Sequence, residues 1–253
     1  MLGVFDSGVG GLTVVRAIRE RMPNAAILYV GDTARMPYGS KSPETITRYA
    51  REISEWLLQN GATAIVIGCH TASSLAADDL RKSLSGRGVP VFDVVRPGLD
   101  EALQKSQGRI GIIGTRGTIT SGAHEKYLLA QSSDVQVFSQ ACPLLAPLVE
   151  EGFVGRPETE SILRKYLAPL LEQKIDTLIL ACTHYPLLRE QIKKIVGDIT
   201  IVDPATSLAE QLPATESQQG EVRLIFTDEA QQLGRLVHAL FGKNLRYTVQ
   251  RMV

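Results

Sequence analysis

No stretch of this 253-residue chain approaches the roughly 20 consecutive apolar residues that a membrane helix needs, so a helical membrane span is excluded. An excess of charge is missing too: 27 basic residues meet 27 acidic ones, for a formal net charge of zero. Proteins that grip a phosphate backbone carry a basic face, and no nucleic-acid partner is expected here. Cysteine is scarce and odd in number, three residues without a C-x-x-C pair. That excludes a disulfide framework and points to reduced thiols in a cytoplasmic setting. The opening Met1-Leu2-Gly3-Val4-Phe5-Asp6 enters an apolar run at once, without a basic leader or signal-peptide layout. The glycines of Asp6-Ser7-Gly8-Val9-Gly10-Gly11 follow neither a dinucleotide fingerprint nor a P-loop. The short ligand spacings of a zinc site are absent as well, so neither a cofactor nor a metal is expected.

What is present is an echo. Ile65-Val66-Ile67-Gly68-Cys69-His70-Thr71-Ala72-Ser73 and Leu178-Ile179-Leu180-Ala181-Cys182-Thr183-His184-Tyr185-Pro186 share one plan. Each is an aliphatic run, a small residue, a cysteine, then polar residues leading toward a helical pattern. Such runs read as buried parallel strands feeding βα loops, and ligands in open α/β sheets sit at the carboxyl ends of those strands. The order strand, loop, helix repeats at a nearly constant offset, with Gly114 to Ser121 taking the place that Asp6 to Gly11 holds earlier. The expected architecture is therefore α/β: two similar domains with mainly parallel sheets flanked by helices, duplicated about a pseudo-twofold with the site between them. Arg96-Pro97-Gly98 reads as the hinge. The segment after residue 205 is expected to return to the first half. The domains would then be 1–96 with 206–253, and 97–205. Within this plan, helices are expected over Leu12–Arg21, Pro43–Gln59 and Pro157–Gln173, with a polar segment at 213–220 and a last helix over Asp228–Phe241.

Cys69 and Cys182 fall at equivalent loop positions, where an α/β protein keeps its chemistry. A thiol at a helix N-terminus is expected to have its pKa lowered, so that thiolate is available near neutrality. Two such groups on opposite faces of a substrate form a two-base device: one takes a proton from carbon and the other, protonated, returns one from the far side. Cys142, in Ala-Cys-Pro, reads as a buried structural thiol. His124 and His238 read as ordinary helical residues, and Asp6 on its own motif as a cap or turn residue.

These residues together resemble a known family. Asp6-Ser7-Gly8-Val9-Gly10-Gly11-Leu12-Thr13, Gly31-Asp32 with Pro37-Tyr38-Gly39, Cys69-x-Thr71-Ala72 and Cys182-Thr183-His184-Tyr185-Pro186 look like the glutamate racemases. These belong to the cofactor-independent aspartate/glutamate racemases, and the likeness runs from residue 4 to about residue 210. The resemblance implies an isomerase that interconverts L- and D-glutamate and supplies D-glutamate for peptidoglycan. It implies Cys69 as base toward D-glutamate and Cys182 as base toward L-glutamate. Asp6, His184 and Glu150 are implied as helpers in proton transfer, with Asp6 on the Cys69 side and His184 on the Cys182 side. Ser7, Pro37, Tyr38, Gly39, His70, Thr71, Thr115, Thr118 and Thr183 are implied as substrate-binding, together with Asp6 and His184. It admits a homodimer. Two alternatives stay open: a racemase for aspartate or another amino acid, and a family member acting mainly as a binding protein on DNA gyrase. The N-terminus is expected to lack the activator-binding extension of some members. One departure stands out, since the family usually has asparagine where this chain has His70. Retained activity with altered pH dependence is the expectation that follows.

Overall fold

The computed structural model describes residues 1–214, 220–229, 233–242 and 245–251. The chain runs β1 (Leu2–Asp6), α1 (Leu12–Arg21), β2 (Ile27–Gly31), α2 (Pro43–Gln59), β3 (Ala64–Ile67), α3 (His70–Ser85), β4 (Val91–Asp93) and α4 (Val95–Lys105). It continues with β5 (Arg109–Gly114), α5 (Arg116–Thr120), α6 (Ala123–Gln131), β6 (Gln136–Ala141), α7 (Leu145–Glu150), α8 (Pro157–Glu172), β7 (Thr177–Ala181) and α9 (Arg189–Val196). β8 (Thr200–Val202), α10 (Pro204–Gln211), β9 (Val222–Phe226), α11 (Leu233–Phe241) and β10 (Tyr247–Val249) complete the described chain. The polar segment expected at 213–220 and the beginning of the helix expected from Asp228 fall partly outside the described residues.

Two sheets form, ordered β10-β9-β2-β1-β3-β4 and β6-β5-β7-β8. Every described strand pairing is parallel. β1, β2 and β7 are buried along their whole length, as expected of parallel strands covered by helices on both faces. The late strands β9 and β10 extend the first sheet beside β2. One hydrophobic core joins the two halves, with Val4, Leu12 and Ile18 in the same cluster as Ile112, Leu178 and Leu208. A second core lies on the other face of the first sheet, beneath α2 and α3.

Local signals explain the helices. Ser42 caps α2 by accepting the Thr45 N–H, with Pro43 at the first position, where a missing N–H costs nothing. The hinge expected at Arg96-Pro97-Gly98 is instead the first turn of α4. Its amides at Val95 and Arg96 donate to Asp93 Oδ1 at 2.8 and 3.1 Å. Pro97 occupies one of the first-turn positions whose N–H has no helical partner. Gly98 is there for space, because a Cβ would meet Pro204 at 2.6 Å, and α10 packs against α4 at this point. The loop expected at 114–121 likewise contains the short helix α5.

Candidate active site

The carboxyl ends of β1, β3, β5 and β7, joined by the loop after β2, enclose a cavity of about 210 Å³. Cys69 and Cys182 both line it, with Ser7, Pro37, Tyr38, Gly39, His70, Thr71, Thr115, Glu150, Thr183 and His184. The fold thus gathers most of the residues singled out above onto one cavity. Asp6 and Thr118 are buried behind its lining.

On the first wall, Cys69 is the N-cap of α3. Its Sγ lies 3.5 Å from the Ser7 hydroxyl and accepts the Ala72 N–H at 3.5 Å. The lowered pKa expected of a helix N-terminal thiol is not found here. Burial, reinforced by the Asp6 charge, pushes the thiol up to about 12, and the contacts with Ser7 and Ala72 offset only part of this. Desolvation wins over the helix terminus because the charged form loses its water while gaining only neutral donors. Asp6 sits behind this wall with Oδ2 accepting the Gly8 N–H at 2.9 Å and Oδ1 without a partner. It serves a turn, while Gly11 occupies the cap of α1. Burial raises the Asp6 pKa, opposed first by the His184 charge. Asp6 therefore couples to both cysteine walls, not to that of Cys69 alone.

Neutral hydroxyls link the halves. Thr71 Oγ1 lies 3.2 Å from both Thr115 Oγ1 and Thr118 Oγ1, and Thr115 caps α5 by accepting the Thr118 N–H. Tyr38 lines the cavity, but its hydroxyl is committed to Asp32, which also binds Arg35 and Thr227. Substrate would therefore meet its ring. His70 is buried, its Nδ1 3.4 Å from His124 Nε2. Burial and the facing His124 hold its pKa well below the usual histidine range. The expected change in pH dependence would then come through the neighbouring Cys69 and not through the charge of the His70 ring.

The second wall is charged. Cys182 Sγ lies 3.7 Å from His184 Nδ1. The opposite ring nitrogen, Nε2, stands 2.9 Å from Glu150 Oε1, a close ionic contact whose angle falls short of a regular hydrogen bond. Burial by itself would lower the His184 pKa, but Cys182 and Glu150 together raise it to about 10. The Thr183 carbonyl accepts from Thr13 Oγ1 at 2.9 Å, which ties this loop to α1. Gly10 allows the approach, since a Cβ there would come within 2.2 Å of Thr183 Oγ1 and 2.6 Å of His184.

Sequence reasoning missed Gly8, Met36, Ala146 and Pro147 on the lining. The last two were within reach: they precede Glu150 by four and three positions in α7, and residues so spaced share a helix face. His124, read as an ordinary residue, is buried directly behind His70. Cys142 is buried, its Sγ near the Gln140 carbonyl, and does not line the cavity. Among the described residues, no group of three His, Cys, Asp or Glu side chains is placed to hold a metal ion.

Comparison with known proteins adds four findings. A model of the Asp/Glu/hydantoin racemase family matches residues 12–212. Glutamate racemase of Aquifex aeolicus is 42% identical over 247 residues, covering 96% of this chain and 95% of the relative. Among solved structures, a glutamate racemase isoform from Bacillus anthracis superposes with a TM-score of 0.91 at 35% identity, covering 100% of this chain and 97% of its own. Glutamate racemase from Francisella tularensis, solved in complex with D-glutamate, gives 0.89 at 32%, with coverage of 98% and 95%.

Proposed function

The chain belongs to the Asp/Glu/hydantoin racemase family, and we propose that it is a glutamate racemase working by proton transfer at Cα between Cys69 and Cys182. As an amino-acid racemase it is an isomerase. The observation that carries the reading is that both thiols, themselves buried, line one cavity from opposite halves of the chain. Similarity to solved glutamate racemases, one of them in complex with D-glutamate, supports glutamate as the substrate.

In this mechanism one sulfur, as thiolate, takes the Cα proton and forms an S–H bond. The C–H electron pair stays on carbon, delocalised into the adjacent carboxylate. The opposite thiol gives its proton to the other face and becomes thiolate. Nothing is oxidised, and the enzyme ends as the mirror protonation state of its start. In this reading the hydroxyls of Ser7, Thr71, Thr115 and Thr183, which line the cavity, hold the substrate's charged groups and stabilise charge developing in the transition state. The His184 imidazolium, backed by Glu150, supports thiolate at Cys182 and can return the proton there. Cys69, held as a thiol, starts as the proton donor when Cys182 is the base.

The proposal extends to a cytoplasmic enzyme feeding D-glutamate to peptidoglycan and assembling as a homodimer. It also divides the chain into 1–96 with 206–253, and 97–205. Both boundaries fall inside helices, α4 and α10, so the seam would be a packed helix pair and not a flexible linker.

The test is incubation with L- or D-glutamate in D₂O, without pyridoxal phosphate or metal. Loss of optical rotation with deuterium appearing at Cα from both enantiomers is expected. No exchange of glutamate by folded, reduced protein would refute the substrate, and aspartate is the control that detects the rival specificity. Gyrase inhibition that survives Cys69→Ser while racemisation does not would expose a separate binding role.

A further inference from the structure

The cavity wall at His70 holds a feature that the two-thiol chemistry does not use. His70 opens α3 in the first half, and His124 lies in the first turn of α6 in the second. Both are buried, 3% and 4% exposed. Their ring centroids are 5.7 Å apart with planes inclined by 24°. That separation is the 3.4 Å gap between His70 Nδ1 and His124 Nε2 plus the two centre-to-nitrogen radii. The rings therefore meet edge to edge through these nitrogens, without overlapping face to face. Each sits near a helix N-terminus, where the local dipole disfavours a cation. Both are held neutral, His124 at about 4 despite the Asp93 charge, which raises it. Between two neutral imidazoles one nitrogen must donate and the other accept.

From this geometry, and resting on the racemase reading above, we infer that His124 is a positioning residue. It donates its Nε2–H to His70 Nδ1 and so fixes His70 as the tautomer that presents Nε2–H to a carboxylate oxygen of the amino-acid substrate. Two observations select this direction. His124 Nδ1 is buried with no partner. If His70 donated instead, that atom would carry an orphaned N–H, a rarer condition in protein interiors than an under-used acceptor. The reverse tautomer would also aim the bare lone pair of His70 Nε2 at an anionic ligand. With His124 as donor, the pair performs in two residues what asparagine's amide N–H performs in one. The contact also bridges the halves, so the donor is set only when both are in place.

The test combines a direct and a kinetic readout. Long-range ¹⁵N NMR of the whole protein, free and with D-glutamate, should show His70 as the Nε2–H tautomer. His124→Phe, which packs but cannot donate, should raise KM for glutamate roughly three- to tenfold, the range of one ordinary hydrogen bond, with kcat changed less than about twofold. His124→Gln, whose amide can donate, should restore KM. In a His70→Asn background, His124→Phe should no longer move KM. An Nδ1–H tautomer at His70 would overturn the inference. So would an undiminished KM effect of His124→Phe in the His70→Asn background, since that effect would be structural. If His124→Phe does not fold, the native tautomer and His124→Gln decide. Should the native protein leave glutamate unchanged, the racemase reading fails, while the tautomer in the free protein still judges the histidine pair.

Discussion

The walls around Cys69 and Cys182 look alike in sequence and differ in electrostatics. Each follows a buried parallel strand and carries a threonine and a histidine within two positions. Yet Cys69 faces a hydroxyl and a backbone amide and is pushed up to about 12. Cys182 faces a histidine held at about 10 by the sulfur and by Glu150. The order of the polar residues causes the difference. His70 directly follows its cysteine and turns away toward His124, whereas His184 comes two places later and reaches back to Cys182. Duplicated backbones thus place two equivalent sulfurs, and the neighbouring side chains give them unequal surroundings.

The comparison breaks most completely if either sulfur is removed. Cys69→Ala and Cys182→Ala should each slow racemisation by about 10²–10⁴-fold, the reach of a positioned acid or base, measured by circular dichroism from both enantiomers. Equal residual rates above this range in both variants would mean that the thiols are not the proton carriers. Removing only the charged partner sharpens the contrast. His184→Asn should lower kcat by about tenfold or more, and unequally for the L-to-D and D-to-L directions because it disables one wall; a symmetric loss would contradict the assignment. Gly10→Ala tests the packing of that same wall. Its Cβ would clash with Thr183 and His184, costing about 1–3 kcal/mol of stability by chemical denaturation, with a lower kcat. Gly39→Ala at the opposite wall, where a Cβ would sit 3.4 Å from Thr115 Oγ1, should cost less.

A smaller effect concerns pH. The folded-state pKa of His184 is raised from 6.5 to about 10. Its stabilising contribution is therefore complete below pH 6.5 and is lost as pH rises through about 10. Glu150→Gln removes one of the causes, so the fall in Tm with rising pH should be smaller and should end at a lower pH. Superimposable Tm profiles for native and variant protein would show that Glu150 does not hold the imidazolium. The smallest change is expected at His70→Asn. Because His70 is held neutral well below its ordinary pKa, the kcat/KM profile between pH 6 and 9 should keep its shape, whatever happens to its height.

How much of this could be read in advance depends on whether the signal is local. The bounds of α1 and α2 follow from apolar periodicity and caps, and the structure matches them to the residue. The two cysteine loops were legible because aliphatic runs ending in small residues announce parallel strands. That Pro97 lies in a helix shows only once Asp93 is seen accepting from the amides of its first turn. Tyr38 has the residue type of a ligand-binding group, but its hydroxyl is taken by Asp32. His124 gives no sign of its role, since its partner lies 54 positions away and nothing in either neighbourhood points to the other.

By itself, then, the amino-acid order determined the parallel α/β plan and the delivery of two thiols to the ends of strands. Those follow from periodicity and turn chemistry, which act over a few residues. Only the tertiary structure decided that burial raises the Cys69 thiol, which hydroxyls are engaged, and that two histidines meet edge to edge across the halves. These depend on desolvation and on contacts between distant segments, and a buried group's charge state is set by everything that replaces its water.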